Sequence, residues 1–187
     1  MENLFFKRID NSNASTNCRN GLRDFVLQHP EYLNELCTIA LDTNYKNHYK
    51  GVWILEMIAE KQTELLSEFA DSICGGFSSI KNDSAIRDMS RVAFFLGTSK
   101  KITLTEDQEE KIIEICLDWL IRDERVACKV YAMKTLHFLS KKHNWIKEEL
   151  YNIIDKDFAV QSAAYKAAAR EVLKKTKQQR SSPEISD

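Results

Sequence analysis

The chain has 187 residues, of which 43% are hydrophobic and 29% are charged, and its formal net charge is −1. These values are typical of a globular protein, and the near-neutral charge excludes a strong overall attraction to nucleic acid or to an anionic membrane. No apolar run approaches the roughly 20 residues that a membrane helix needs. We therefore expect a cytoplasmic protein without a membrane partner. Only 5 Gly and 2 Pro are present, which favours long helices joined by short turns.

Apolar residues recur at intervals of three and four along most of the chain, which predicts amphipathic helices. In chain order the predicted helices cover residues 14–28, 30–42, 45–61, 63–79, 84–101, 105–121, 124–142, 145–156 and 158–177. Four apolar residues before the first helix are expected to dock on the first repeat: Leu4, Phe5, Phe6 and Ile9. We expect a single domain over residues 1–177 and a disordered tail over residues 178–187.

The phrase Asp-x-x-(Ile/Val) occurs three times, beginning at Asp83, Asp123 and Asp157, at spacings of 40 and 34 residues. A degenerate copy begins at Tyr45, 38 residues before the first. A period of this length with two helices in each repeat predicts a helical solenoid. Each Asp is expected to cap the second helix of its repeat by accepting from the free N–H groups of the first turn. The segment Thr105-Glu-Asp-Gln108 predicts a capping box.

The first copy, Asp83-Ser-Ala-Ile-Arg87, resembles the turn and second helix of a HEAT repeat. The copies at Asp123 and Asp157 keep the acid and the Val but lack the Arg. The resemblance covers about residues 30–177 and implies an all-α, right-handed α-α superhelix, a HEAT-like solenoid of about four helix pairs plus an N-terminal helix. It also implies that the second helices line the concave side, while HEAT-like arrays serve many functions.

Charge is distributed unequally between the two kinds of helix. The four predicted first helices contain 15 acidic and 3 basic residues, whereas the four second helices contain 5 acidic and 17 basic residues. One interpretation is a basic face for an anionic partner such as DNA or RNA. The other is that acids occupy first turns and bases occupy last turns, where they complement the helix dipole, and that the remainder pair between helices. The sequence leaves both interpretations open.

The eighth position after the start of each copy holds Trp53, Arg91, Tyr131 and Tyr165 in successive repeats. At about 100° per residue this position lies away from the inward stripe and is expected to be at least partly exposed. Four basic residues of the same helices complete the predicted binding set: Lys50, Arg87, Lys134 and Lys166. Such a row suits a protein interface or the stacking of bases, although the rings could instead pack between repeats.

No sequence motif predicts catalysis, a metal site or a cofactor. The four His lack the spacing of His-x3-His or HExxH, and no glycine-rich phosphate loop is present. The five cysteines make no CxxC pair and are interpreted as buried free thiols.

The chain also resembles the DNA-alkylation-repair glycosylases, which are small HEAT-like arrays that cradle DNA. That resemblance directs attention to carboxylates near an aromatic side chain on the second helices, Asp88 and Glu56 beside Trp53. The dense Trp and Arg pattern of that group is missing. The main hypothesis is therefore a non-catalytic scaffold that binds a protein partner along its second helices. The alternative is a nucleic-acid-binding protein related to DNA alkylation repair.

Overall fold

A computed structural model describes the backbone of residues 4–180 and the side chains of residues 4–174. It contains α1 (Leu4–Asp10), α2 (Thr16–Gln28), α3 (Leu33–Leu41), α4 (His48–Gln62), α5 (Ala70–Gly76), α6 (Asp83–Thr98), α7 (Glu106–Ile121), α8 (Val126–Leu139), α9 (Asn144–Asp157) and α10 (Ala163–Arg180). Short 3-10 segments cover Pro30–Tyr32, Thr63–Phe69 and Phe77–Ser79. No strand occurs between residues 4 and 180, so the all-α prediction is confirmed.

The helices form two layers. In the first layer α3 contacts α5, α5 contacts α7 and α7 contacts α9, while in the second α4, α6, α8 and α10 pack side by side in that order. Within a repeat, α3 packs on α4 and α7 packs on α8. The alternation of first-layer and second-layer helices from α3 to α10 makes the molecule an all-α solenoid, as predicted, and the close packing within a pair is strongest for those two pairs. The outward surface of α4, α6, α8 and α10 is called the second-helix face below.

The N-terminal end differs from the prediction in one respect, because two helices rather than one precede the first pair. Both α1 and α2 pack against α4. Phe5 and Ile9 of α1 are buried, as expected for docking on the first repeat, whereas Leu4 is exposed. At the other end, α10 continues to Arg180, so the first three residues of the predicted tail are helical. Residues 181–187 of that tail lie outside the described residues, and the single domain over residues 1–177 stays a prediction.

A continuous core lies between the two layers. The predicted inward stripe of α7 is confirmed, since all five of its members are buried: Ile112, Ile115, Cys116, Trp119 and Leu120. The Trp119 ring meets the Phe77 ring edge to face at a centroid separation of 5.8 Å. This contact joins α7 to the segment that follows α5.

Four of the five cysteines are buried free thiols, as interpreted from the sequence: Cys37, Cys74, Cys116 and Cys128. Burial raises the pKa of the Cys37 thiol to about 12, so it stays protonated at neutral pH. Cys18 is a free thiol as well but is only half-buried.

Helix capping follows the predictions at one site and departs from them at another. The capping box is present, because Thr105 Oγ1 accepts from the Gln108 N–H at 3.3 Å and Gln108 Oε1 accepts from the Thr105 N–H at 3.0 Å. At α6 the cap is Asn82 rather than Asp83, since Asn82 Oδ1 accepts from two first-turn N–H groups at 3.0 and 3.1 Å. Asp83 is the first helical residue, where its charge still complements the helix dipole.

The other two predicted caps were also wrong. Helix α8 follows Arg125, which makes no side-chain cap, so Asp123 lies too early in the turn to reach the free N–H groups. Asp157 is the last residue of α9, where Oδ2 accepts from the Gln161 amide at 3.3 Å. Ser162 Oγ accepts from a first-turn N–H of α10 at 3.3 Å instead. The repeated phrase therefore begins at or before the start of the second helix, and its Asp provides the cap in none of the three copies.

The predicted helix over 63–79 is broken into a 3-10 segment, α5 and a second 3-10 segment. Gly76 ends α5 at a close approach to the first repeat, because a Cβ added there would lie 2.7 Å from Leu41 Cδ2. The Gly75-Gly76 pair thus coincides with an early end of the helix.

Two glycines in neighbouring helices provide a test of the packing between α3 and α4. A Cβ on Gly51 would lie 3.0 Å from the backbone nitrogen of Ala40 and 3.1 Å from its Cα, whereas a Cβ on Gly21 in α2 meets nothing within 4 Å. We expect Gly51→Ala to lower the free energy of unfolding by about 1–3 kcal/mol through overpacking. Gly21→Ala should raise it by about 0.5–1 kcal/mol through helix propensity. Urea unfolding of both variants measures this, and a stabilising effect of Gly51→Ala would contradict the close helix contact.

Candidate functional site

Arg91 of α6 joins three of the second helices. Its Nη1 lies 2.8 Å from Glu56 Oε1 and its Nη2 lies 3.0 Å from Glu60 Oε1. Glu56 and Glu60 are four residues apart on α4, so both carboxylates lie on the side of the helix that meets α6. The guanidinium carbon also lies 5.6 Å from the centroid of the Tyr131 ring on α8. The structure therefore brings together two members of the predicted row, Arg91 and Tyr131.

Glu56 is a buried carboxylate that forms an ion pair with Arg91 but has one oxygen, Oε1, without a hydrogen bond. It is 4% exposed, and Arg91 Nη1 is close to Oε1 but poorly aligned for a hydrogen bond. Burial raises the pKa of Glu56 to about 7, Arg91 acts in the opposite direction, and the nearby Asp88 carboxylate adds to the increase. Asp88 is 3% exposed and is itself held by Arg87, with Nε to Oδ1 at 2.9 Å.

These five alternately charged side chains are called the ion cluster: Glu56, Glu60, Arg87, Asp88 and Arg91. Each arginine in it is already bound to at least one carboxylate. Burial removes the water that would hydrate these charges, so each charge depends on its partner within the cluster. The two arginines are therefore not free to bind an outside anion. The cluster therefore links α4 to α6.

Trp53 and Tyr165 correct the expectation that the whole row is exposed. Trp53 is 9% exposed, its Nε1 donates to Ser84 Oγ of α6 at 3.3 Å, and its ring meets the Tyr49 ring edge to face. Tyr165 is fully buried, its hydroxyl has no hydrogen-bond partner among the described residues, and burial raises its pKa to about 12. The reason is that a second-layer helix packs against a neighbouring helix of its own layer, as α4 does against α6 and α10 does against α8. A position away from the inward stripe is therefore not automatically exposed.

The predicted basic residues also differ in what they contact. Lys50 Nζ donates to the Asp10 carbonyl at the end of α1 at 2.5 Å, and Lys166 Nζ donates to the Ala159 carbonyl in the turn before α10 at 2.9 Å. Lys134 is different, because its Nζ makes no hydrogen bond or ion pair among the described residues and lies 6.0 Å from the centroid of the Tyr131 ring. Lys166 Nζ lies at the same distance from the Phe158 ring but is also held by its carbonyl acceptor.

Lys134 also lines a groove between α6, α8 and α10. The groove has a volume of about 430 Å³ and its lining includes Phe94, Thr98, Lys134, His137, Phe138 and Lys141. We call it the lysine–aromatic groove. The Lys141 ammonium lies 5.3 Å from the centroid of the Phe138 ring. The Phe94 ring lies 5.6 Å from that of Tyr131, which makes the groove continuous with the exposed part of the predicted row.

Sequence reasoning missed Phe94, Phe138 and Lys141 as candidate residues. Lys141 was counted only among the basic residues of the predicted second helices, and the structure places it two residues beyond the end of α8. The available signal was the spacing of seven between Lys134 and Lys141, which is two helical turns and places both side chains on one side. Phe138 lies between them at the i+4 position.

The comparison with protein families agrees with this architecture. A model of the HEAT repeat domain matches residues 7–176, which reach from α1 into α10. The chain belongs to the HEAT repeat family. No curated protein and no solved structure matches it at a significant level. The match confirms the HEAT resemblance that the Asp83 segment indicated.

In this HEAT repeat protein two lysines that follow the ends of second helices pair with acids of first-layer elements. Lys101 Nζ lies 3.0 Å from Glu64 Oε1, and Lys142 Nζ lies 2.8 Å from Glu109 Oε2. Burial acts to raise the pKa of Glu109, but hydrogen bonds from Lys142 and His143 outweigh it and lower the pKa below its ordinary value. These contacts support the interpretation that part of the charge difference between the layers serves helix-to-helix pairing.

The described part of the HEAT array contains neither a metal-ligand cluster nor a membrane-spanning helix. Within residues 4–180, His, Cys, Asp and Glu side chains form no group of three or more suited to a metal ion. The helices described for this part of the chain also include none with the length and apolarity needed to cross a membrane.

Proposed function

We propose that this HEAT repeat protein is a non-catalytic scaffold that recognises a protein partner along its second-helix face. The observation that carries the proposal is the patch where Tyr131, Phe94 and Lys134 lie side by side across α6 and α8. Tyr131 and Phe94 are half-buried, so each ring is held by its neighbours and still offers apolar surface. Aromatic side chains of this kind are enriched among the residues that dominate protein interfaces.

Two further considerations support the proposal. HEAT repeat proteins commonly mediate protein interactions, and the family match covers almost the entire array. The ion cluster fixes α4 against α6 beside the patch, which limits the conformational entropy that binding would cost. The buried free thiols favour a reducing compartment, and we propose that the protein acts in the cytoplasm.

The proposal is tested by placing the photo-crosslinking amino acid benzoylphenylalanine at single positions of the full chain. Tyr131 is replaced on the second-helix face, and Glu114 of α7 is replaced as the control, since it is an exposed residue of the first layer. After irradiation in a native cell lysate we expect discrete protein adducts from the Tyr131 position and none from Glu114. Adducts from Glu114 alone, or none from Tyr131, would contradict the use of this face.

Nucleic-acid binding is the second candidate, and the 17 basic residues of the second helices favour it. Phosphate contacts release counterions, so affinity for duplex DNA should fall by roughly a factor of ten or more between about 50 and 200 mM salt. Fluorescence anisotropy with a labelled duplex measures this dependence. If the duplex does not bind at about 50 mM salt, the nucleic-acid hypothesis is wrong.

A further inference from the structure

We propose that the lysine–aromatic groove holds an acidic helix of the protein partner. In this arrangement two carboxylates of the partner pair with Lys134 and Lys141, and an apolar side chain between them packs on Phe94 and Phe138. The inference rests on the proposed protein-binding function and names the chemistry of the partner at that site.

The spacing of the two lysines selects a helical partner. Lys134 lies in α8 and Lys141 lies two residues beyond its end, and seven residues at the rise of a helix would span about 10.5 Å. A helix lying parallel or antiparallel to α8 presents carboxylates at positions i and i+7 with the same separation. Its i+3 or i+4 side chain then faces the groove between them. This is the general geometry of an amphipathic helix bound in a groove.

The two lysines are available for such a partner because they lack a carboxylate within the described residues. Their ammonium groups instead lie over rings of the same face, Lys134 over Tyr131 at 6.0 Å and Lys141 over Phe138 at 5.3 Å. A cation–π contact orients an ammonium group without neutralising its charge. Arg91, in contrast, is already bound to two carboxylates, so the groove is where a complementary negative charge is favoured.

The floor of the groove supplies the apolar part of the site. Phe94 and Phe138 are half-buried, and Val172 of α10 is 3% exposed at the opposite wall. The Phe94 ring is fixed by contacts with the rings of Phe95 and Tyr131 at 5.5 and 5.6 Å. Glu171 is the acidic residue on the α10 side, and it disfavours a carboxylate there. The partner's carboxylates are therefore directed toward α8.

The test uses a fluorescein-labelled 16-residue helical peptide with Glu at i and i+7, Leu at i+3, and Ala and Gln elsewhere. Anisotropy titrations compare the full-length wild type with K134Q/K141Q. The matched control is K46Q/K61Q, which removes the same charge from exposed positions at the other end of the array. We expect K134Q/K141Q to weaken binding by about 5- to 30-fold, as two exposed ion pairs would, and the control to stay within about twofold.

The peptide itself supplies the second arm of the experiment. Replacing both Glu by Gln should weaken binding as much as K134Q/K141Q does, and the two changes together should add little further loss. Equal weakening by K46Q/K61Q would overturn the groove assignment, and so would tighter binding of a labelled DNA duplex that K134Q/K141Q abolishes. Failure of the peptide to bind, while Tyr131 still forms protein adducts, would overturn the acidic-helix proposal and leave the proposed function standing. Peptide binding without any adduct at Tyr131 would contradict the proposed function instead.

Discussion

Trp119→Ala should lower the free energy of unfolding by about 3–5 kcal/mol, which is among the largest effects expected of a single substitution in this chain. Trp119 is 2% exposed and lies in the middle of the core between the layers. Its replacement removes a large buried apolar area and the edge-to-face contact with Phe77, and it leaves a cavity that the packed helices fill only in part. Urea unfolding followed by far-ultraviolet circular dichroism measures the loss.

Trp145→Ala is the matched control, because it deletes the same side chain from the next repeat. Trp145 is the second residue of α9 and is 57% exposed, so its removal should change the free energy of unfolding by less than about 0.5 kcal/mol. Comparable losses in the two variants would contradict the placement of the core between the layers.

The sequence predicted those features that depend on residues close together in the chain. The capping box needs only Thr105 and Gln108 to be three residues apart, and the inward stripe of α7 needs only spacings of three and four. These two patterns do not depend on how the neighbouring repeats pack, and both were confirmed. The alternation of helix and turn likewise indicated the all-α solenoid before any contact was known.

The wrong cap assignments have a physical cause that is not local. A carboxylate caps a helix only if it sits immediately before the first turn, and the length of the turn depends on how far the first helix of the pair extends. Helix α8 begins three residues after Asp123, and α10 begins six residues after Asp157. An identical phrase can thus occupy different structural positions in successive repeats.

The candidate site was predictable only in part for a related reason. Helical periodicity reports the one stripe that faces the core, whereas a helix of the second layer also packs against neighbouring second-layer helices. Trp53 is held by Ser84 of α6, Tyr165 is part of the buried core, and Arg91 is engaged by two carboxylates of α4. Tyr131 and Lys134 stay partly exposed. Only the structure shows that Phe94 of α6 and Phe138 of α8 form a groove beside them.

Glu56→Gln should alter the dependence of stability on pH. Burial raises the folded-state pKa of Glu56 to about 7, above the ordinary value of 4.5 for a solvated glutamate, so the folded state binds a proton more tightly than the unfolded chain. The stabilisation from this proton is fully present below about pH 4.5 and is lost as pH rises through 7. Between pH 5 and pH 8 the wild type should therefore lose about 1–3 kcal/mol relative to Glu56→Gln, which has no charge to bury.

Four charged groups and burial together set the pKa of the Glu56 carboxylate. Arg91 and Arg19 favour its ionised form and Asp88 and Glu60 oppose it, while burial is the dominant cause of the raised pKa. In Glu56→Gln, Arg91 keeps its contact with Glu60, so the link between α4 and α6 is not left without a partner. Glu60→Gln is the control, and because that side chain is 56% exposed its stability curve should depart from the wild type much less than the curve of Glu56→Gln does. Urea unfolding at pH 5, 6, 7 and 8 gives the three curves, and a constant difference between Glu56→Gln and wild type would show that Glu56 does not gain a proton on folding.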